Sequence, residues 1–533
     1  MAEPAPAPHA DTHTYPAGLE RLLIVVSVVV GTLMGAIDMS IINVALPSIR
    51  ASLGATLTEI SWVATGYLVA VVVILPLTAW VASVIGRKRL YLVSLFVFVA
   101  ASVCCGLSHS LPMLVFFRIL QGLGAGLMQP IAQAVLRESF PPHEQAMAMG
   151  FFGIAILLGP AIGPTLGGWL TDNYGWPWIF YINVPIGAMA VFMASQFLHD
   201  PPYFARQRAA SMDGVGIGLL VVGLAALQTV LSEGQNDEWF DSTFIVVLTV
   251  VSAAALLAFI IWEVRARNPA VDLSVMKDAG FTSGTMLGGL LGLALFGSLF
   301  LLPLFMQELL GYDALQSGWA MMPRSLVMMV GMPIAGRLYN RLGPRLMVGA
   351  GLALSAVSTF MLAGLNLDTS YVGLIVPQMW QGLAFSFIFV SLSTAALATV
   401  PRPRLTNATA LYNLIRQLGG SFGIAIIATL LENRQRFAAV HLGRHLSPFN
   451  AQFAWRYQAI SQGLSQLHGF PTNVANQKAL ALLNGMVQQQ AAVMAFDYAF
   501  YLVGVLFIVA LPLVLLLHAP RHLRRAPAAA AAD

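Results

Sequence analysis

The sequence predicts an all-α polytopic membrane protein, and three observations carry that prediction. Of its 533 residues 58% are hydrophobic and only 9% charged, against about a quarter charged in a soluble protein. Many separate apolar runs exceed the roughly 18 residues that a helix needs to span a bilayer. The charges fall in short connections between those runs, basic on one side and acidic on the other.

Apolar runs counted against turn residues and charges give fourteen spans. Their centres lie near Met34, Val71, Val99, Leu123, Leu158, Met189, Gly223, Val251, Leu293, Val327, Leu354, Phe385, Gly420 and Leu506. Residues 1–19 are Pro/Ala-rich and lack the basic start of a signal peptide, so they read as a disordered cytoplasmic tail. With that tail inside, the inner connections hold Arg87, Lys88, Arg89, Arg137, Arg206, Arg208, Arg265, Arg267 and Lys277. They also hold Arg337, Arg341, Arg345, Arg402 and Arg404, and the C-tail adds Arg521, Arg524 and Arg525. The short outer loops hold Arg50 alone among basic residues, with Asp172, Glu233, Asp237, Glu238, Asp241, Asp313 and Asp368. This is the bias of the positive-inside rule, and an odd span count would destroy it. One outer connection, about 432–492, is long, polar and Gln-rich, and its apolar patches predict amphipathic helices outside the membrane.

The chain repeats itself at a separation of about 260 residues. Gln121-Gly122 matches Gln381-Gly382, the glycines near Gly159 match those near Gly419, and Ile85-Gly-Arg-Lys-Arg-Leu echoes Leu342-Gly-Pro-Arg-Leu. Two six-span halves follow, 20–200 and 271–518, with two extra spans in 201–270 and a cytoplasmic C-tail at 519–533. Parallel repeats of this kind predict a transporter with a central cavity.

Charge inside the spans marks the candidate chemistry. Asp38 lies in the first span, where a carboxylate costs about 2.5–3.5 kcal/mol to insert. It is the simplest reversible proton carrier. Arg118, in the fourth span, is far from any basic loop and needs a carboxylate, carbonyls or water inside the bundle. Arg324 is expected to find a carbonyl opened by Pro323, Arg416 to snorkel to the inner surface, and Asp497 to sit at a solvated interface. Glu308, beside Gln307, is a candidate for contact with a cation.

The fifth span, Gly150–Gly168, carries Gly159, Gly163 and Gly167 on one face, with Pro160 and Pro164 removing two backbone donors. It predicts a helix that packs unusually closely and bends, a hinge and seal against the partner half. Its counterpart near Gly419 keeps the glycines and lacks the prolines.

Other motifs fail on context. Gly419-Gly-Ser-Phe-Gly423 lies in a membrane helix rather than at a strand-to-helix elbow. His441 and His445 have no third metal ligand nearby. Adjacent Cys104 and Cys105 cannot build a disulfide framework. No Walker sequence occurs, so no cofactor is expected and the energy must come from a gradient. The net charge of +4 is explained by the inner loops, and no nucleic-acid partner is expected.

At this point the sequence resembles the major facilitator superfamily, and more narrowly its fourteen-span drug:proton antiporters of the EmrB/QacA type. Asp38-x-Ser-Ile-Ile-Asn-Val-Ala-Leu-Pro47, Leu114–Gly126 with its Arg and Gln-Gly, and the "antiporter" stretch Gly153–Gly168 carry the resemblance. Trp176–Gly187, the stretch from Asn268 and the long outer loop are similar to the EmrB branch specifically. One departure stands out: Ala79 and Ser83 occupy the Gly and Asp positions of the loop motif G-x-L-A-D-R-x-G-R-K, so the acidic gate contact is missing.

The resemblance implies an inner-membrane proton antiporter exporting amphiphilic drug-like compounds. Asp38 would bind the proton, Arg118 would set its affinity, and Gln121, Gly122, Gly159, Pro160, Gly163, Pro164, Gly167 and Arg416 would serve the conformational change. Trp62, Tyr67, Phe151, Met306, Gln307, Glu308 and Trp319 are the candidates for the substrate wall, because aromatic and Met surfaces suit promiscuous binding. A periplasmic adaptor and an outer-membrane channel are the implied partners, docking near the long loop. The competing readings are a facilitator for a single metabolite or siderophore, and a membrane sensor or scaffold.

Overall fold

A computed structural model of the chain describes residues 15–517 apart from 201–212, 267–268, 445, 448 and 469. Most of both expected tails, together with Arg206, Arg208, Arg267, His445, Arg521, Arg524 and Arg525, lies outside the described residues.

Runs of 18 or more apolar residues have one stable state in hydrocarbon, because the helix satisfies its own backbone. The described residues accordingly form thirteen helical segments long and apolar enough to cross a membrane. The first half comprises α1 (Gly18–Leu53), α2 (Leu57–Ile60), α3 (Trp62–Ile74), α4 (Thr78–Ile85) and α5 (Arg87–Gly106). It continues through α6 (Leu111–Ser139), α7 (Gln145–Tyr174), α8 (Trp178–Tyr181) and α9 (Asn183–Phe197). The inserted pair is α10 (Gly214–Glu233) and α11 (Thr243–Arg265). The second half holds α12 (Ala279–Glu308), α13 (Ala314–Leu362), α14 (Tyr371–Leu397), α15 (Leu405–Gly443), α16 (Ala451–His468) and α17 (Thr472–Ala510).

Thirteen segments hold fourteen spans, because α13 is two. Its 49 residues break at Gly343, where φ is 75° and ψ 165°. The corresponding turn of the first half, between α4 and α5, breaks at Gly86 with φ 93° and ψ 150°. Left-handed φ favours glycine at both places, so the repeat read from the sequence is also a repeat of backbone geometry.

Within the first half α1 packs on α6, α7 and α9, and α5 on α6 and α9. Within the second, α12 packs on α14, α15 and α17, and α13 on α14 and α17. The halves meet where α7 lies along α13 and α14, and where α6 meets α15. The α10–α11 pair bridges them, touching α3 on one side and α15 on the other.

The structure corrects the reading of the glycine face. Gly159, Gly163 and Gly167 pack against α1 of their own half, not against the partner half. A Cβ at Gly159 would lie 2.5 Å from the Ala36 carbonyl carbon, one at Gly163 would overlap Ser40 Oγ, and one at Gly167 would lie 2.7 Å from Ile41. Ser40 Oγ donates to the Gly159 carbonyl at 2.9 Å. The seam with the partner uses other faces of α7, through Gly150 and Gly153 against Met332 and Phe389, and Thr165 against Gly318. The helix is continuous through Pro160 and Pro164.

The long loop is helical, and the spans on either side of it run into it without a break. α15 and α17 have 39 residues each, about 58 Å at 1.5 Å per residue, against a hydrocarbon core near 30 Å. Both spans therefore run on as helices beyond the membrane, and α16 lies against α17 with Ser461 hydrogen-bonded to Asn476 at 2.5 Å. The polar, helix-favouring Gln and Ala residues continue the spans instead of ending them. The result is a helical head.

Candidate functional site

Asp38, Arg118 and Gln121 converge. Arg118 and Gln121 stand three residues apart on α6 and so share one face. α6 reaches α3 because Gly122 has no Cβ; one there would lie 2.5 Å from the Tyr67 carbonyl oxygen. That approach lets Arg118 Nε donate to the Val63 carbonyl at 3.1 Å and sets the guanidinium 4.3 Å from the Tyr67 ring centroid. Arg118 Nη1 pairs with Asp38 Oδ2 at 2.7 Å, and the two residues are 1% and 0% exposed.

The carboxylate is satisfied on its other oxygen as well. Gln121 Nε2 and Asn183 Nδ2 donate to Asp38 Oδ1 at 2.8 and 2.9 Å. Both amides also donate to Ser102 Oγ, which donates in turn to the Phe180 carbonyl. Six helices thus close around one ion pair. Coulomb attraction is strong in so dry a setting, and the several hydrogen bonds offset the desolvation that isolated buried charges suffer.

The second half carries the same frame with other chemistry. Gln381 Nε2 donates to Ser298 Oγ at 2.7 Å, and Gln378 Nε2 donates to the Ala320 carbonyl at 2.8 Å. Gly382 packs on the Arg324 carbonyl as Gly122 packs on that of Tyr67. Serine and glutamine here stand in the places of Asp38 and Arg118. Arg324 takes the place of Tyr67 and donates to Gln381 Oε1 at 3.0 Å; no described carboxylate pairs with it. The carbonyl that Pro323 leaves open, that of Trp319 one turn earlier, accepts instead from the Tyr371 hydroxyl at 3.2 Å. Arg416 is buried rather than snorkelling, donating to Asn413 Oδ1 at 3.0 Å with its guanidinium 5.7 Å from the Phe389 ring.

Three further groups were not singled out by the sequence. Asn183 and Ser102 complete the Asp38 site. Glu233, assigned to an outer loop, is 4% exposed and accepts from Ser61 at 2.9 Å, Thr65 at 2.5 Å and Asn236 at 3.1 Å. It ties α10 to α3, two residues along from the carbonyl that holds Arg118. A Ser61/Thr65 pair one helical turn apart opposite an acidic α10 terminus was the available signal.

The seven wall candidates do not share one cavity. Tyr67 is buried against Arg118, Met306 is fully buried in the core of the second half, and Phe151 packs on Phe140. Trp62 is half-buried, and Gln307 is exposed beside Glu308. Trp319 lines an apolar cavity of about 340 Å³ with Trp169 and Met322, where α7 meets α13. Glu308 lines one of about 900 Å³ under the head, with Phe470, Lys478 and Met486. Ser83 Oγ donates to its own helix, at the Trp80 carbonyl, while Arg87 of the same motif pairs with Glu138 of α6 at 2.7 Å. No cluster of three metal-ligating side chains occurs among the described residues.

At the end where α1 begins, hydrogen bonds close the seam between the halves. Thr409 Oγ1 donates to the Pro130 carbonyl at 3.0 Å, Asn413 Nδ2 to Gln133 Oε1 at 2.6 Å, and Asn340 Nδ2 to the His143 carbonyl.

Comparison with known proteins gives this geometry its family. Residues 28–424 match the Major Facilitator Superfamily. The chain is 35% identical to the Multidrug export protein EmrB of Escherichia coli K12, over 93% of this chain and 95% of that one. It is 34% identical to the Fatty acid resistance protein FarB of Neisseria gonorrhoeae, over 92% and 94%. The fold matches the human organic anion transporter MFSD10 with a TM-score of 0.60 at 14% identity, covering 92% of this chain and all of that one. It also matches the proton:xylose symporter XylE, with a TM-score of 0.59 at 12% identity, covering 94% and 96%. The repeated halves, the buried charged site and these likenesses make the chain a multi-pass transporter of the Major Facilitator Superfamily, of the EmrB type.

Proposed function

We propose that the chain is a proton-driven multidrug efflux antiporter of the bacterial inner membrane, with both termini cytoplasmic. The observation that carries this reading is the closed pair of Asp38 and Arg118. A proton arriving on Asp38 cancels the carboxylate's charge, weakens its hold on Arg118 and loosens α1 from α6. Because α1 is pressed against α7 along the glycine face, and α7 lies on α13, that loosening reaches the seam between the halves. Substrate and proton then bind alternately in the cavity that the halves enclose, residues 20–200 moving against 271–518 with the inserted pair as a strap.

Moving one charge through 100 mV is worth about 2.3 kcal/mol. A proton-motive force near 150 mV therefore gives about 3.4 kcal/mol, or roughly 300-fold accumulation per proton. The substrates are amphiphilic toxic compounds, cationic or lipophilic, in keeping with relatives named for multidrug export and fatty acid resistance. The head built from α15, α16 and α17 projects on the periplasmic side, where a periplasmic adaptor leading to an outer-membrane channel would dock. Everted vesicles containing the protein, energised and given a fluorescent lipophilic cation, should take it up and dissipate their pH gradient as they do. A gradient that no candidate drug perturbs sinks the antiporter reading.

A further inference from the structure

We infer that a phosphate-class anion binds between the two halves, at the end of the bundle where α1 begins. A cavity of about 300 Å³ lies there, lined from the first half by Arg137, Glu138, Pro142 and Gln145, and from the second by Tyr339, Thr394 and Arg402 among others. It is more polar than apolar and lies at the small end of ligand pockets, with room for a tetrahedral oxyanion and its attached carbon.

Two lining residues, one from each half, are buried with a donor atom that has no hydrogen-bond partner. Arg137 is 6% exposed and its Nη1 has no hydrogen-bond partner; Tyr339 is 1% exposed and its hydroxyl has none. No described carboxylate forms an ion pair with Arg137. Glu138, the acidic residue on the cavity wall, has both oxygens held by Arg87 Nη1 at 2.8 and 2.7 Å. A second cation lining the cavity, Arg402, donates to the Tyr15 hydroxyl at 2.5 Å. Buried guanidinium and phenol groups left without acceptors are costly, and this pair faces a space shaped for one acceptor. A dianion with several oxygens satisfies both residues at once, and guanidinium is the side chain that best matches phosphate geometry.

Because the donors come from different halves, the anion acts as a clamp. It binds only when the seam is closed as here, beside the Thr409–Pro130 and Asn413–Gln133 hydrogen bonds, and so it favours that conformation by its own binding energy. Its source is either free phosphate or a phospholipid headgroup reaching in from the leaflet.

The test uses the purified full chain. In detergent, potassium phosphate is titrated against chloride at constant ionic strength while the thermal unfolding midpoint is followed. In a second arm the chain is held in nanodiscs of phosphatidylethanolamine, with and without phosphatidic acid. We expect a saturable rise in midpoint, in the first arm for free phosphate or in the second for a headgroup. Arg137→Gln should raise the apparent Kd at least about tenfold, Arg137→Lys should keep part of the effect, and Tyr339→Phe, which removes a single oxygen, should weaken it with the fold intact. Equal shifts in wild type and both Arg137→Gln and Tyr339→Phe would mean an adventitious ion only and overturn the proposal. So would the absence of a saturable shift in both arms.

Discussion

At the level of single residues the account rests on the mutual dependence of Asp38 and Arg118. Removing one member of a buried pair leaves the other charge without compensation, at about 3–5 kcal/mol. Arg118→Gln should therefore destabilise the chain by that order, and Asp38→Asn/Arg118→Gln together by less than Arg118→Gln alone. Unfolding in detergent checks this as a double-mutant cycle, and additive losses would show that the two side chains do not sustain each other. Glu233 gives a contrasting case. Its three donors are neutral, so Glu233→Gln keeps most of the hydrogen bonding, whereas Glu233→Ala strands the buried Thr65 hydroxyl and should cost about 1–3 kcal/mol. Equal stability of the two variants would remove Glu233 as the strap's anchor.

At the level of elements, the contact between α1 and α7 is what links the charged site to the seam. Gly163→Val places atoms where Ser40 Oγ already sits, so it should cut efflux at least about tenfold while the chain still inserts and unfolds cooperatively. Gly218→Val on α10, where a Cβ would meet nothing within 4 Å, should leave efflux unchanged. Membrane-fraction yield and vesicle uptake measured side by side separate transport loss from insertion loss. The glycine spacing made this face legible as a line of close approach. It did not name the partner, because bare backbone on a helix suits any neighbour of the right curvature. The seam-facing glycines Gly150 and Gly153 follow a different spacing and escaped the same reading.

At the level of the whole molecule, span number and duplication were legible because hydrocarbon permits so few solutions: a run of apolar residues is a helix, and a repeated helix pattern is a repeated bundle. Asp38 and Arg118 were legible for the same reason, since a charge inside such a run demands an explanation. Asn183 and Ser102 were not, because small polar side chains are at home in membrane helices whether or not they touch a charge. The loop at 432–492 was legible as helical from its apolar patches, but not as a continuation of the spans, because Gln- and Ala-rich sequence extends a helix into water as readily as it ends one. Closure of one end of the bundle is a property of both halves together. Thr409 and Asn413 meet Pro130 and Gln133 only once the halves dock. On a background with Cys104 and Cys105 replaced by Ala, a Gln133→Cys/Asn413→Cys pair should form a disulfide that blocks efflux and is reversed by reductant. Full transport by the cross-linked chain would mean that this seam does not open during the cycle.

All three scales depend on Asp38 being the group that exchanges a proton for substrate. The most direct measurement is substrate-induced proton flux in proteoliposomes holding either wild type or Asp38→Asn, under an imposed pH gradient and with bound-substrate levels matched. The account predicts proton release on substrate addition from wild type, and binding without proton movement from Asp38→Asn. Proton flux from Asp38→Asn equal to that of wild type would contradict it.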